Sequence, residues 1–407
     1  MVLIPEYERA IFWLLLFTTS AFAQTSSVPL DLKSALDQAQ TSNLELRAVR
    51  QQRAVAMAGI KIAAQFQNPS VSFAALRDTP HESLVWDQPF ELGKRGKRIG
   101  VAREEQKATE IDIGVLERQI RHRTRDAFYQ AVLARANVDQ AKAAMDLSTR
   151  IRDIVQARYD AGDVAQLEVI QAEVELTRAT TDYQVALESQ KVADVELAVL
   201  LNRPLDSTID LRGRVDDLPH VADLTVITEM ALRLNSNVQT TMQQLSIEEK
   251  RLQLAKASRI PNLDLQAGVD FNSPPDFNVG PRGQVGVTLP LFNHGQGEIA
   301  QSNARLDLLR FSIQAQKTTA EAQVIAAYYD YDTKLRLASD YSKTIVPQTA
   351  RVEEMAEESY RAGKSNLLTL IDAQRRLNET RKAYLSSLFS VQSAFSALEE
   401  VVGGALD

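Results

Sequence analysis

The chain has 407 residues, 44% of them apolar and 24% charged, with a formal charge of −7 and no cysteine. This sequence therefore holds no disulfide, thiolate metal site, cysteine nucleophile or lipid-bearing cysteine, and its acidic balance argues against nucleic acid as a partner, because phosphate binding needs a cationic surface. Four scattered histidines (His81, His122, His220 and His294) and no ordered Ser/His/Asp or paired-carboxylate pattern leave no basis for expecting a cofactor, a metal site or enzyme chemistry.

Residues 1–23 read as an export signal. The apolar stretch Ile11–Phe17 is followed by Ala21-Phe22-Ala23, an A-x-A cleavage pattern. The stretch is too short to cross a bilayer as a helix, which needs about 20 residues. Its leading segment is unusual, with Glu6 and Glu8 against Arg9 where basic residues are expected. No later apolar run is long enough for a membrane helix, so any membrane-inserted part of the mature chain must be strands.

The remainder reads as two copies of one layout. Asn43 and Asn235 lie in similar helical stretches, and Pro69 pairs with Pro261 at the same offset of 192. Pro89 and Pro290 are related by 201, as are Tyr159-x-Ala161-Gly162 and Tyr360-x-Ala362-Gly363. Residues 24–204 form the first repeat, 205–222 a linker and 223–407 the second. A nine-residue insertion in the second copy reads as a longer loop between Pro261 and Pro290.

Within each repeat a helix comes first, over about 30–66 and 224–259. A strand pair follows, at about 69–91 and 261–290. In the second pair Leu263, Leu265, Ala267, Val269 and Phe271 alternate with Asp264, Gln266, Gly268 and Asp270. The loop is expected at Asn272–Pro281, and Gly283 to Leu289 then alternate again. In the first pair Val71, Phe73 and Ala75 are joined through Arg77–Ser83 to Leu84 and Trp86. Such alternation suits a soluble hairpin or a transmembrane strand. Four strands cannot close a barrel, and an open sheet edge is not tolerated in hydrocarbon, so the membrane alternative demands an oligomer: eight strands from two copies, twelve from three.

Long helical hairpins complete each repeat. Gly96–Tyr159 and Gly297–Pro347 are free of internal proline, and their apolar residues step by 3 and 4, the spacing of coiled-coil seams. The tips fall at 160–163 and 361–364, where glycine can supply the positive φ that ends a helix.

The order of repeat, strand pair and Tyr-x-Ala-Gly turn resembles TolC-type outer-membrane efflux proteins. The segments Gln88-Pro89-Phe90-Glu91-Leu92-Gly93-Lys94-Arg95 and Val287 to Ala300 carry the most specific likeness, to the outer-membrane subunits of cobalt–zinc–cadmium and copper–silver cation efflux systems. The resemblance implies a mainly α, internally duplicated chain with four membrane strands. It implies a homotrimer whose 12-stranded β-barrel sits in outer-membrane lipid and continues as a 12-helix periplasmic α-barrel. It also implies a passive duct docked to a periplasmic adaptor (membrane fusion protein) and an inner-membrane, proton-driven RND-type pump. Carried over by position, the adaptor-contact residues are Arg158, Tyr159, Ala161, Gly162, Tyr360, Ala362, Gly363, Lys364 and Ser365, and the pore-gate residues are Glu168 and Asp372. Solvated helix faces and plain C-caps are the structural alternatives for these positions.

Two other functions stay open: a TolC-type channel for organic compounds or type I protein secretion, and a periplasmic coiled-coil structural or adaptor protein. The basic run Lys94, Arg95, Lys97 and Arg98 reads as a strand-to-helix junction near lipid phosphates or a solvated helix start, not as a nucleic-acid site. His294 beside Asn293 and Glu298 is expected to be structural, and Gly295-x-Gly297 lacks the rest of a phosphate-binding fingerprint.

Overall fold

The computed structural model describes residues 29–206, 209–273 and 275–406; the expected export signal lies outside them. Short helices α1 (Leu32–Ser42), α2 (Leu44–Arg50) and α3 (Gln52–Ala63) lead into strands β1 (Ser70–Ala75) and β2 (Glu82–Phe90). The long helix α4 (Lys94–Asp160) and its return α5 (Gln166–Leu201) follow. The same sequence of elements then recurs: α6 (Leu224–Leu234), α7 (Ser236–Ala257), β3 (Leu263–Ser273), β4 (Phe277–Val287), α8 (Gln296–Asp340), α9 (Val346–Arg361) and α10 (Leu367–Val402). At 67 residues, α4 is about 100 Å long at 1.5 Å per residue.

The chain stacks three layers of four elements, each layer an open strip. The antiparallel sheet has the order β1-β2-β3-β4. Below it α3 packs on α4, α4 on α7 and α7 on α8. Lower still the order is α5, α4, α10, α9. A belt of apolar residues holds the middle: Phe128, Val132, Leu197, Leu201, Tyr331, Val391 and Phe395 pack with Leu30 and the linker residues Ile209 and Val215. Leu30 and Leu211 form a parallel bridge, with Leu30 N–H donating to the Asp210 carbonyl at 2.7 Å and Arg212 N–H to that of Leu30 at 2.8 Å. A second core at the far end of the hairpins gathers Ile151, Val155, Val169, Tyr360, Leu367 and Leu370.

The helices preceding the strands differ from expectation. Each is broken, at Asn43 and at Asn235, and the first ends at Ala63. The reason is the same in both places. The side-chain oxygen of Asn43 caps α2 by accepting from Leu46 N–H at 3.0 Å, while its amide donates to the Leu200 carbonyl at 3.1 Å. Asn235 accepts from Asn237 N–H at 3.0 Å and Val238 N–H at 3.3 Å, and donates to Val401 at 2.8 Å. A short amide that satisfies the next helix's free N–H groups competes with continuing the helix.

The second strand pair also differs. Most of Asn272 to Pro281 is strand: β3 runs on to Ser273, and β4 begins already at Phe277. Pro281 stands in β4 opposite Val269, on an edge strand where a missing N–H is tolerated. The extra length of the second copy thus lengthens β3 and β4 rather than the loop between them. Helix continues through Pro347 to Arg361, because one π-helical turn, Tyr341–Ile345, precedes it. The wide turn, closed by Val346 N–H to the Tyr341 carbonyl, shifts the hydrogen-bond ladder ahead of a residue that cannot donate. Among the described residues no helix is long and apolar enough to cross a membrane.

Asn235→Ala removes a cap and a buried carbonyl's partner together. It is expected to destabilise the chain by about 1–3 kcal/mol, measured as a lower denaturant midpoint of the detergent-solubilised protein. Asn235→Asp, which keeps the cap oxygen, should recover part of the loss.

Candidate functional site

The sheet separates its side chains into two faces, row by row. On one face Val71, Trp86, Ala267 and Gly283 stand opposite one another, as do Phe73, Leu84, Val269 and Pro281. The next rows toward the helices are Gln88, Leu265, Val285 and then Phe90, Leu263, Val287. Nothing among the described residues covers this face: Val71, Phe73 and Val285 are each 65–67% exposed. A soluble monomer rarely leaves a contiguous apolar surface of this kind in water. The opposite face carries Ser70, Asp87, Gln266 and Gln284 in one row. Asp264, Asp270 and Arg282 lie in the rows around it, with Arg282 and Asp270 3.8 Å apart. One face suits hydrocarbon and the other water, as in a barrel wall.

Both hairpin tips are built alike. Gly162 (φ 84) and Gly363 (φ 69) adopt the left-handed conformation that side chains disfavour. Gly162 N–H donates to Tyr159 and Asp163 N–H to Arg158; Gly363 and Lys364 donate to Tyr360 and Ser359 in the same pattern, all at 2.9–3.0 Å. These paired bonds are a Schellman stop, which leaves the glycine turns protruding. Of the residues expected at a contact surface, Ala161, Gly162, Ala362, Gly363 and Lys364 are exposed, as is Tyr159. Arg158 and Ser365 are half-buried.

Tyr360 is a different case: it is 2% exposed and belongs to the tip's core. Its side chain is unavailable to a docking partner while this packing holds. Its hydroxyl donates to Glu168 Oε2 at 2.9 Å, and the Arg158 guanidinium lies 4.8 Å from its ring centre. Burial first, and then the hydrogen bond to the Glu168 carboxylate, push the phenol's pKa up to about 12. Glu168 is therefore held at the start of α5 by the end of α9, while Asp372 on α10 is exposed.

A set of polar ties between the two hairpins gives no signal as a motif. Gln374 donates to Ser148 at 3.0 Å, Gln140 to Asn378 at 3.3 Å and Lys382 to Asp182 at 3.1 Å, and Arg375 pairs with Glu175. Asp182 with Lys382 and Glu175 with Arg375 stand at nearly repeat-equivalent positions, so opposite charge at that offset is the only trace they leave in the sequence.

The basic run has a local explanation. Arg95 donates to the Ala64 carbonyl at 2.6 Å and covers the Phe66 ring at 4.2 Å. Arg98 donates to Ala63 and Gln65, both at 2.9 Å, and pairs with Glu91 at 2.7 Å. Lys94 donates to Asn262 at 2.6 Å. Both arginines thus satisfy the free carbonyls at the end of α3. His122 on α4 bonds Ser396 on α10, and its other ring nitrogen is 3.3 Å from Glu400 and 3.6 Å from Asp126. Burial raises the Asp126 carboxyl above its ordinary range. Among the described residues no group of three His, Asp or Glu has a metal-holding arrangement.

Comparison with known proteins agrees with this geometry. The family described as "Outer membrane efflux protein" matches residues 227–404. The cobalt-zinc-cadmium resistance protein CzcC of Cupriavidus metallidurans is 22% identical over 386 residues, covering 94% of this chain and 92% of that protein. The pyoverdine export outer membrane protein OpmQ of Pseudomonas aeruginosa is 23% identical over 82% of this chain and 70% of its own length. Among solved structures, CusC superposes with a TM-score of 0.74 at 17% identity, covering 93% of each chain. Over most of its length the chain is thus similar to metal-resistance and export proteins, and its residues 227–404 match the outer membrane efflux protein family.

Proposed function

We propose that three copies of this chain close into one duct that discharges metal cations across the outer membrane. The observation that carries this reading is the repetition of open edges. β1 and β4 end the sheet, and α3 and α8 end the layer beneath it. α5 and α9 end the lowest layer. These edge helices expose apolar side chains along their length: Val55 and Met57 on α3, Leu308 and Phe311 on α8, Leu167, Val174, Val185 and Val192 on α5, Val352 and Met355 on α9. Two unlike edges on one chain pair head to tail, and such a contact generates a ring when the rotation closes. Hydrocarbon requires closure, because an unpaired strand edge has no water to satisfy it.

The cargo follows from two supports. The likeness to CzcC extends over 94% of the chain. The polar face of the sheet, which becomes the lumen on closure, carries Asp87, Asp264 and Asp270 against Arg282, a field that favours cations. Energy would come from an inner-membrane RND-type pump, coupled through a periplasmic adaptor seated on the Gly162 and Gly363 turns. The duct itself is passive. Glu168 and Asp372 narrow the tip, and the Tyr360–Glu168 bond ties α9 to α5 in the closed state. The likeness to OpmQ supports a second reading, export of an organic compound through the same duct.

A strain lacking the chain decides between the two cargoes. Sensitivity confined to one or a few of zinc, cobalt, cadmium, nickel, copper and silver is expected, and sensitivity to dyes and detergents instead would favour organic export.

Tyr360→Phe keeps the ring against Arg158 and deletes only the bond to Glu168. A hydrogen bond to a charged group contributes about 1.5–3 kcal/mol, so the open-to-closed ratio should rise tenfold or more, read as single-channel conductance in planar bilayers. Unchanged conductance would release Glu168 from the gate.

Valine at Gly162 or Gly363 imposes the left-handed penalty of about 1–2 kcal/mol in a turn where no atom lies within 4 Å of an added Cβ. Loss of metal resistance with the trimer intact is the expected phenotype. Resistance retained in both variants would remove the turns from docking.

A further inference from the structure

We propose that Arg282 on β4 is a selectivity residue of the barrel lumen: by neutralising Asp270 it confines the cation-attracting field to the inlet, at the helix side, and leaves no charge at the outlet to hold the ion. This rests on the reading that the sheet closes with its polar face around water. On that face the charges come in a fixed order. Counted from the helices outward, Asp264 is first, then Asp87 in the row of Gln266, then Arg282 beside Gly268, and last Asp270 beside Ser83. Among the described residues of these paired rows Arg282 is the only base, against three carboxylates.

The two inlet carboxylates keep their charge. Asp264 stands between Pro89 and Gly286, neither of which carries a side-chain donor. Asp87 accepts from the neutral amide of Gln266 at 3.4 Å, which leaves its charge uncompensated. Asp270 differs: Arg282 lies 3.8 Å away, on the neighbouring strand and one row nearer the helices. The Asp270 side chain is 17% exposed and that of Arg282 41%, so the base is the more exposed member of the pair. Beyond Asp270 the wall shared by β1, β2 and β3 has one row left, that of Ala75, Glu82 and Phe271, so Asp270 stands at the mouth. Asp264 and Asp270 are six residues apart on β3, or about 20 Å at about 3.4 Å per residue. That is twice the screening length of about 10 Å at 0.1 M salt, so the two ends set their potentials independently.

A conducting path must attract its ion at entry and let it go at exit. With three copies around one axis, the inlet holds six uncompensated carboxylates, which draw cations out of the helical section. An equal ring at the mouth would draw them as strongly and delay departure. Arg282 removes that second ring without raising a positive barrier, because each guanidinium is met by a carboxylate. A divalent cation feels the difference twice as strongly as a monovalent one, since the energy scales with charge. The residue therefore matters most for the cargo class proposed above.

The chain has no cysteine, so single thiols can report the local potential in the whole protein, reconstituted into phospholipid vesicles. Gly286→Cys reports the inlet, where an added Cβ meets that of Asp264 at an ordinary 3.6 Å. Ala74→Cys reports the outlet, in the row of Ser83 and Asp270. Each is treated with size-matched cationic and anionic methanethiosulfonates, and the ratio of the two rates is compared with that of a free thiol. At about 0.1 M salt the cationic reagent is expected to be favoured at Gly286→Cys and not at Ala74→Cys. Arg282→Gln should raise the ratio at Ala74→Cys about twofold or more and leave Gly286→Cys unchanged. Adding Asp270→Asn should return it, and Arg282→Lys, which keeps the charge, should alter neither site. A ratio at Ala74→Cys that ignores Arg282→Gln, or one already as high as at Gly286→Cys before that change, would overturn the proposal. Val71→Cys, on the apolar face, identifies failure of the barrel reading itself. If it reacts as readily as Ala74→Cys, or if neither inward thiol reacts, the polar face lines no water-filled lumen and the proposal falls with that reading.

Discussion

An unpaired backbone edge is intolerable in hydrocarbon, and this chain carries such an edge on each side of its sheet. A four-stranded strip with one apolar and one polar face has no stable place as a monomer, in water or in lipid. The proposed closure with further copies would answer both problems at once, pairing β1 with β4 and turning the polar face into a lumen. The helices obey the same geometry because they continue the strands, so α3 and α8 inherit the edges above them. The lowest layer repeats the problem in coiled-coil form, with α5 and α9 at its margins.

The long hairpins are held by cores at separate levels. The two cores express this division. The belt around Phe128, Leu197 and Phe395 joins both halves to the linker, whereas the tip core around Val155, Tyr360 and Leu367 is small and separate. Between them the hairpins meet largely through Ser148–Gln374, Gln140–Asn378, Asp182–Lys382 and Glu175–Arg375. The exposed ion pairs among these, Asp182–Lys382 and Glu175–Arg375, contribute little individually, whereas the Ser148–Gln374 bond is buried. The tip core, with the Tyr360–Glu168 bond beside it, is a packing unit separate from the belt.

Cargo is the least structurally marked property of the chain. In the proposed duct, the carboxylates on the polar face of the sheet would bias the field toward cations, and a passive path would need no tight site. Tight binding would slow release, because a conducting path must let its ion leave as readily as it enters. Selection among metals would then rest with the pump and adaptor.

Much of the architecture is legible in the sequence because it depends on short-range periodicity. Alternation from Leu263 to Phe271 reports a two-faced strand, and the Ala-Gly pairs at 161–162 and 362–363 report turns that need a positive φ. Steps of 3 and 4 along the hairpins report helices packed on helices. What the tertiary structure alone decided involves partners distant in sequence. Asn43 and Asn235 break their helices because each side chain finds an N–H nearby and a carbonyl more than 150 residues away. Arg95 and Arg98, which read as a surface charge run, are consumed by the carbonyls closing α3. Tyr360 carries the same local signature as Tyr159 and yet is buried, because Arg158 and Glu168 converge on it from the other hairpin. The extent of β4 through Pro281 was set by its place at the sheet's edge. Local pattern determines which elements form and which face is apolar. Only the assembled chain determines which of two equivalent residues is enclosed, since enclosure depends on neighbours that no local window contains.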